Sequence, residues 1–352
     1  MTPADPVSGH VDPESLFDRP EVYPLDFEPG HLNLVPMTRD TYRRSIFTDR
    51  GRIVTAASHG WRIPIGTMLD QYESRERPWR TVFFIYHIAH CGSTLLARAM
   101  DLDDRTLVIR EPFALRQLAA DAAAAGRPAD SVYWRRCLRL TMALLGRRFD
   151  PHQTVIVKAN VPVNFILDPL LALDPDCAGV ALYSGFEAYL LSVLKTPAHR
   201  RWVVNVSRQL AGGIHATAGL DDVDVGALEP ARAAACLWLA QISRLRAAVA
   251  AHEDLRGLDC RVLFDRPAEV LESAMRLAGS SLTRSEATAI ADGELFRRHA
   301  KDPGREFDRE ARERELAALA AQYEGEVEAA RDWIVGIGAW DGRDLPIIPS
   351  LL

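Results

Sequence analysis

The stretch TVFFIYHIAHCGSTLLARAM, residues 81–100, decides the fold that this sequence predicts. It begins with a nearly continuous run of β-branched and aromatic residues, which is typical of a strand buried on both faces of a parallel sheet. A glycine and two hydroxyl residues follow, and residues 93–100 then show the apolar spacing of an amphipathic helix. We therefore expect a strand, a tight loop and a helix in direct succession.

The loop inside this stretch has the composition of an anion-binding loop. Backbone N–H groups at a helix N-terminus lack intrahelical partners and lie at the positive end of the helix dipole, so they attract phosphate or sulfate. Gly92 lets the backbone approach a ligand closely, and Ser93 and Thr94 add hydroxyl donors. The simpler interpretation, in which Ser93 only caps its helix, stays open.

The rest of the chain predicts an α/β fold with a central parallel sheet of at least five strands flanked by helices. Short apolar runs alternate with segments of helical spacing, and this alternation favours parallel strands joined by right-handed crossovers. The further predicted strands are residues 107–109, 154–157, 180–183 and 260–264. The predicted helices are residues 93–100, 113–125, 131–145, 164–173, 186–195, 231–251 and 309–335.

Two segments are predicted to be irregular. Residues 1–77 are rich in proline, glycine and charge, so we expect an N-terminal flanking segment followed by one domain over residues 78–345. Residues 211–226, AGGIHATAGLDDVDVG, are interpreted as a loop, and a loop this long is more often functional or mobile than structural.

Composition narrows the class of protein. A formal net charge of −6 and a pI near 6.0 give no overall basic field, so we expect no nucleic-acid partner. The first 15 residues lack the basic and apolar regions of a signal peptide, and no apolar run approaches the roughly 20 residues of a membrane helix. A cytoplasmic protein without a membrane partner is therefore expected.

Metal and disulfide chemistry are not expected either. The histidines outside residues 81–100 show no paired metal-ligand spacing. The cysteines form no C-x-x-C pair, which fits neither a disulfide framework nor a thiolate zinc site. They are Cys91, Cys137, Cys177, Cys236 and Cys260.

Two other types of phosphate-binding loop share part of the sequence pattern of this loop. A Walker A loop needs G-x-x-x-x-G-K-[ST], but His87 replaces its first glycine and Ser93 its lysine, which disfavours a P-loop kinase. A cysteine phosphatase needs H-C-x5-R; His90 and Cys91 begin that pattern, but Arg98 lies one residue too far along. Cys91 could still be a reactive thiol or an inert loop cysteine.

Residues 89–96, AHCGSTLL, resemble the 5′-phosphosulfate-binding loop of sulfotransferases, P-[KR]-S-G-[ST]-T-x-L. The resemblance extends over residues 81–264 and is to bacterial uncharacterised sulfotransferase-like proteins and, more distantly, tyrosylprotein sulfotransferases. It implies a P-loop-like three-layer fold and an enzyme that transfers a sulfuryl group from 3′-phosphoadenylyl sulfate to the hydroxyl of a small molecule or peptide, without a metal. The residues that would then hold the co-substrate are His90, Cys91, Gly92, Ser93 and Thr94.

The resemblance also implies roles beyond the loop. Glu111, in VIREPF, corresponds to the glutamate general base, although it could instead complement a helix start. Lys158, in VIVKAN, resembles the lysine that stabilises the bridging oxygen during transfer. Ser192, in LYSGFEAYLLS, corresponds to the serine of the 3′-phosphate site, and Ser184 occupies the position of its arginine.

His90 and Ser184 thus stand where the family has basic residues. Other cations could replace them, and a solvated charged loop is the alternative for the late basic cluster. A non-catalytic nucleotide- or anion-binding relative of the same fold also stays open, and the sequence indicates neither the acceptor nor the oligomeric state. The candidate cations are Arg208, Arg297, Arg298, Lys301 and Arg305.

Overall fold

The structure is a computed structural model that describes residues 15–53, 60–74, 80–125, 131–299, 302–306 and 309–352. Its strands are β1 (Val22–Glu28), β2 (His31–Pro36), β3 (Trp61–Pro64), β4 (Phe83–His87), β5 (Thr106–Arg110), β6 (Thr154–Lys158), β7 (Gly179–Tyr183), β8 (Leu255–Asp259), β9 (Arg298–His299) and β10 (Asp302–Glu306).

The helices lie mainly between the strands of the central sheet. They are α1 (Arg39–Arg44), α2 (Ile65–Glu73), α3 (Ser93–Ala99), α4 (Phe113–Ala125), α5 (Val132–Leu145), α6 (Leu167–Leu171), α7 (Phe186–Leu194), α8 (Pro197–Gln209), α9 (Ala211–His215), α10 (Pro230–Ala251), α11 (Cys260–Asp265), α12 (Pro267–Leu277), α13 (Arg284–Ala291), α14 (Glu294–Arg297) and α15 (Arg309–Gly336). Among the described residues, no helix is both long and apolar enough to span a membrane.

The central sheet is parallel and has five strands in the order β5-β6-β4-β7-β8. Every residue of β4 and β5 is buried, as expected for strands covered by helices on both faces. The predicted α/β fold with a central parallel sheet flanked by helices is therefore confirmed. The strand order also puts β6 between β5 and β4, so the carboxyl ends of these three strands are adjacent.

Most predicted helices are found within one or two residues of the expected bounds, but the strand predicted at residues 260–264 is wrong. That segment is helix α11, and strand β8 ends directly before it. Asp259 begins the helix, because its side chain accepts a hydrogen bond from the backbone N–H of Arg261. The predicted helix at residues 164–173 is likewise divided, into a 3-10 turn (Val161–Phe165) and α6.

The two segments predicted to be irregular contain regular structure. Strands β1, β2 and β3 form an antiparallel sheet within the N-terminal segment. Residues 211–226 include α9 and a 3-10 turn, Val225–Ala227. Residues 1–14, which carried the expectation about a signal peptide, lie outside the described residues.

Polar side chains of the main domain bind this N-terminal segment. The buried guanidinium of Arg147 donates hydrogen bonds to the backbone carbonyls of Leu16, Arg19, Val22 and Leu144. Gln117 on α4 exchanges two hydrogen bonds with the backbone of Phe27 on β1. The N-terminal sheet therefore packs as a further layer on the central domain, while the proposed boundary near residue 77 stays a prediction.

Candidate functional site

The loop after β4 has an unusual backbone. Ala89, His90 and Gly92 have φ angles of 71°, 53° and 86°, all in the left-handed region. Residues other than glycine adopt this region at an energetic cost, and such strained residues are typical of functional sites. A Cβ atom on Gly92 would also lie 3.1 Å from Leu263 and 3.2 Å from Phe264, so glycine is needed there for both conformation and space.

The helix after the loop brings two buried hydroxyl groups to the site. Ser93 and Thr94 are 5% and 4% exposed, and Thr94 Oγ1 has no hydrogen-bond partner among the described residues. A buried polar atom without a partner commonly marks the place of a ligand or water. Helix α3 has only seven residues, so the loop and its side chains, rather than the helix dipole, are the features of this site that suit an anion.

A carboxylate and an ammonium meet at the adjacent strand ends. Lys158 pairs with both Ile85 of β4 and Arg110 of β5 in the sheet, so its side chain arises between those two strands. Its Nζ donates to Glu111 Oε1 and also lies 5.2 Å from the ring centroid of Phe47. The Lys158 side chain is 1% exposed, and that of Glu111 is 17% exposed.

The backbone of Glu111 is held in a strained conformation. Its φ is 57°, and its N–H donates to the carbonyl of Lys158 at 2.7 Å. Asn160 Nδ2 lies 3.5 Å from the second carboxylate oxygen. The carboxylate is thus positioned by its own main chain, by the ammonium and by an amide.

His87 completes this group. Its Nδ1 accepts a hydrogen bond from the backbone N–H of Ala89, which places the proton of the neutral ring on Nε2. That nitrogen lies 3.8 Å from Glu111 Oε1. His87, considered in the sequence only as a substituted glycine, is therefore a member of the site.

Two cavities meet at the loop. The first, the Glu111 cavity, has a volume of about 330 Å³ and contains the carboxylate group just described. The second, the Ser192 cavity, has a volume of about 190 Å³ and lies against α7, α8 and α15. The residues that line both cavities are His90, Ser93 and His199.

The histidines at this junction pack on one another. The ring centroids of His90 and His199 are 4.4 Å apart, and His90 meets the ring of Trp202 edge-on at 5.3 Å. His199 Nδ1 lies 3.0 Å from the backbone carbonyl of Ser192. The imidazole of His90 therefore lies between the two cavities, where it can bind an anion when protonated.

The Ser192 cavity is lined by several cations. Lys195 forms an ion pair of 2.6 Å with Glu315, and Arg312 packs over the ring of Phe264 at 4.5 Å. Arg298, predicted as a candidate, also lines this cavity, whereas Arg208 and Arg297 line neither. Lys301 and the side chain of Arg305 lie outside the described part of the chain. Sequence patterns gave no signal for Lys195, His199 or Arg312.

The two serines taken from the resemblance differ in position. Ser192 lines the cavity named after it, and its Oγ donates to the carbonyl of Ala188 at 2.8 Å. Ser184 is 3% exposed and lines neither cavity, while its carbonyl accepts from Trp238 Nε1. The structure thus brings Ser192, but not Ser184, to the loop.

Cys91 is placed for packing rather than for nucleophilic attack. The thiol is 1% exposed and donates to the carbonyl of Leu182. Burial raises its pKa to about 11, so it carries its proton at neutral pH and lacks the thiolate that a cysteine phosphatase requires. Within the described ranges, no group of three histidine, cysteine or carboxylate side chains is placed to hold a metal ion.

Comparisons with known proteins found a likeness to solved structures only. No family model and no curated protein matches the chain. The sulfotransferase domain from the curacin biosynthetic pathway is 13% identical, with 70% of this chain and 99% of that chain covered and a TM-score of 0.40. A sulfotransferase from Alicyclobacillus acidocaldarius is 16% identical, with 72% and 96% covered and a TM-score of 0.39. The chain is thus similar in structure to two sulfotransferases, the family that residues 89–96 resemble.

Proposed function

We propose that this protein is a sulfotransferase that moves a sulfuryl group from 3′-phosphoadenylyl sulfate to a hydroxyl group. One observation carries the proposal: two cavities of different chemistry meet at a single anion-binding loop. The Ser192 cavity is lined by hydroxyl groups and cations, and the Glu111 cavity holds a carboxylate and a buried ammonium. A donor on one side and an acceptor on the other would meet beside His90 and Ser93.

The Ser192 cavity fits the nucleotide end of the donor. The unpartnered hydroxyl of Thr94 and the side chain of Ser93 lie at the loop, where the 5′-phosphosulfate would be held. Lys195, Arg298 and Arg312 also line this cavity, where they can replace the arginine that Ser184 does not provide for a 3′-phosphate. The co-substrate supplies an activated sulfuryl group whose leaving group is a phosphate.

The Glu111 cavity fits the chemistry at the acceptor. The acceptor oxygen would bond to sulfur while the sulfur–oxygen bond to the 5′-phosphate breaks, and Glu111 would take the hydroxyl proton. Because Lys158 arises from the strand between Glu111 and the loop, its ammonium can stabilise negative charge on the bridging oxygen. Adenosine 3′,5′-bisphosphate would leave from the Ser192 side.

Calorimetric titration with adenosine 3′,5′-bisphosphate tests the donor site directly. We expect micromolar affinity for the bisphosphate and much weaker binding of ADP and inorganic phosphate. Only the bisphosphate carries a 5′-phosphate for the loop and a 3′-phosphate for Lys195, Arg298 and Arg312. Thr94→Val should weaken this binding by about tenfold, since it removes a neutral hydrogen-bond donor without changing the size of the side chain. Equal affinity for ADP and the bisphosphate would contradict the proposal.

Glu111→Gln separates an enzyme from a non-catalytic relative. That relative is favoured by one observation, the burial of Ser184 away from the loop. With a labelled donor and an acceptor panel, an enzyme should lose transfer in the variant yet bind the bisphosphate as before. Arg246→Gln, an exposed position on α10 that lines neither cavity, is the matched control. Bisphosphate binding with no transfer by the unmodified protein to any acceptor in the panel would favour the binding protein.

A further inference from the structure

The charges around the Glu111 cavity are unbalanced. Glu111 is the only carboxylate among the described residues that line it, and Lys158 and Asn160 already contact this group. Two further cations, Arg52 and Arg116, also line the cavity. The wall is therefore positive, even though a neutral hydroxyl acceptor would need no such charge.

Among the described residues, Arg116 is the cation of this cavity that has no carboxylate partner. Arg52 forms an ion pair with Asp49 and packs over the ring of Phe47. Arg116 is half-buried, no carboxylate of the described residues lies within ion-pair distance of it, and its guanidinium lies over the Phe113 ring at 5.7 Å. None of its nitrogen atoms is buried without a partner, so its planar donors stay accessible and would fit a carboxylate or phosphate.

The position of Arg116 separates it from the donor. Arg116 lies on α4, which packs against the turn after β6, Val161–Phe165. Its side chain lines the Glu111 cavity but not the Ser192 cavity, where the donor is proposed to bind. An anion held by Arg116 would therefore belong to the acceptor rather than to the transferred group.

Part of the remaining wall of the cavity is apolar. Phe47, Trp202 and Val206 line it together with residues 161–162. Its volume of about 330 Å³ is at the small end of ligand pockets. This combination suits a compact molecule with an apolar body, a hydroxyl group at one end and an anionic group at the other.

We infer that the acceptor is a small hydroxyl compound that carries a carboxylate or phosphate group, and that Arg116 binds this group while the hydroxyl lies at Glu111. This inference rests on the proposed function for the role of the hydroxyl. The anion site itself does not depend on transfer and can be measured as binding.

Matched acids and amides test the inference. The probes are 3-(4-hydroxyphenyl)propanoate, its amide and tyramine, together with 6-hydroxyhexanoate and its amide, each titrated with and without saturating adenosine 3′,5′-bisphosphate. At least one acid should bind about tenfold or more tightly than its amide, as expected for a charge-assisted contact, and tyramine should bind weakest. Amides that bind as well as both acids would overturn the inference.

Substitutions locate the site. Arg116→Gln should remove most of the preference for the acid, Arg116→Lys should restore part of it, and Arg246→Gln should leave it unchanged. An acid preference that persists in Arg116→Gln would also overturn the inference. The two failures can be told apart: bisphosphate binding without acid preference refutes only this inference, whereas acid preference without bisphosphate binding refutes the proposed function and leaves the anion site at Arg116.

Discussion

The pair of Lys158 and Glu111 should be energetically asymmetric. Removing the carboxylate leaves an ammonium that is only 1% exposed, and breaking a buried ion pair from one side costs about 3–5 kcal/mol. Because Glu111 keeps some contact with water, we expect Glu111→Ala to lie at the low end, about 3 kcal/mol of unfolding free energy. Lys158→Met should cost less, about 1–2 kcal/mol, since the remaining carboxylate keeps Asn160 and partial hydration.

The double variant measures the interaction itself. With both charges removed, neither member of the pair is left as an uncompensated buried charge, so the double variant should be more stable than the sum of the single effects predicts by about 2 kcal/mol. Urea unfolding of all four proteins gives this coupling energy. The more exposed pair of Arg200 and Glu326 is the control, where the coupling should stay below about 1 kcal/mol. Additivity within about 0.5 kcal/mol at Lys158 and Glu111 would refute the buried pair.

Three further predictions concern the loop, the thiol and the N-terminal layer. Gly92→Ala should cost about 1–2 kcal/mol from its left-handed φ alone and weaken bisphosphate binding, as shown by thermal unfolding and calorimetry. Burial raises the pKa of Cys91 from 9.0 to about 11. The protonated buried thiol therefore contributes its full stability to the fold below pH 9, and about 2–3 kcal/mol of unfolding free energy is lost as the pH rises through 11. Unfolding of the unmodified protein and of Cys91→Ala from pH 8 to 11 measures this loss. Arg147→Met should leave four backbone carbonyls without their donor and cost about 3 kcal/mol or more, seen as a lower urea midpoint and faster proteolysis of the N-terminal segment.

The central sheet could be predicted because strands that are buried on both faces consist of continuous apolar residues. Residues 83–87 and 106–110 are continuous apolar or β-branched runs, apart from their ends. Strand β8, LRGLD, has no continuous apolar run. Its Gly257 lies against the backbone of Ile347, and its N–H donates to the carbonyl of Pro349, so this strand is completed by a segment nearly a hundred residues later.

The N-terminal sheet was hidden by polar residues that find partners only in the folded chain. Asp26 is fully buried within β1, where Asn33 and Arg50 donate to its carboxylate. A buried aspartate and a proline in one strand resemble a loop when only the sequence is considered. Pairing with Arg50, beyond the next strand, makes the strand possible.

Part of the candidate site could also be predicted from the sequence, and part could not. The loop and the strand ends with Glu111 and Lys158 follow from local pattern and the resemblance, since carboxyl ends of parallel strands share one edge. The cations of the Ser192 cavity come from α7, the segment at β9 and α15, which approach one another only through helix packing. Arg298 was a candidate because basic residues cluster around it, whereas Lys195 has no neighbouring cation and Arg312 lies in a helix of alternating charge that resembles a solvent-exposed surface.

Strain and burial at the edge of β5 and β6 are best explained together. The left-handed φ of Glu111 and the almost complete loss of water at Lys158 both carry an energetic cost. The hydrogen bond from Glu111 N–H to the Lys158 carbonyl fixes the main chain at the point where both side chains emerge. The main chain and the Lys158 ammonium together fix the position of this carboxylate, as the proposed base requires, because it must meet a hydroxyl group at a fixed distance from the loop.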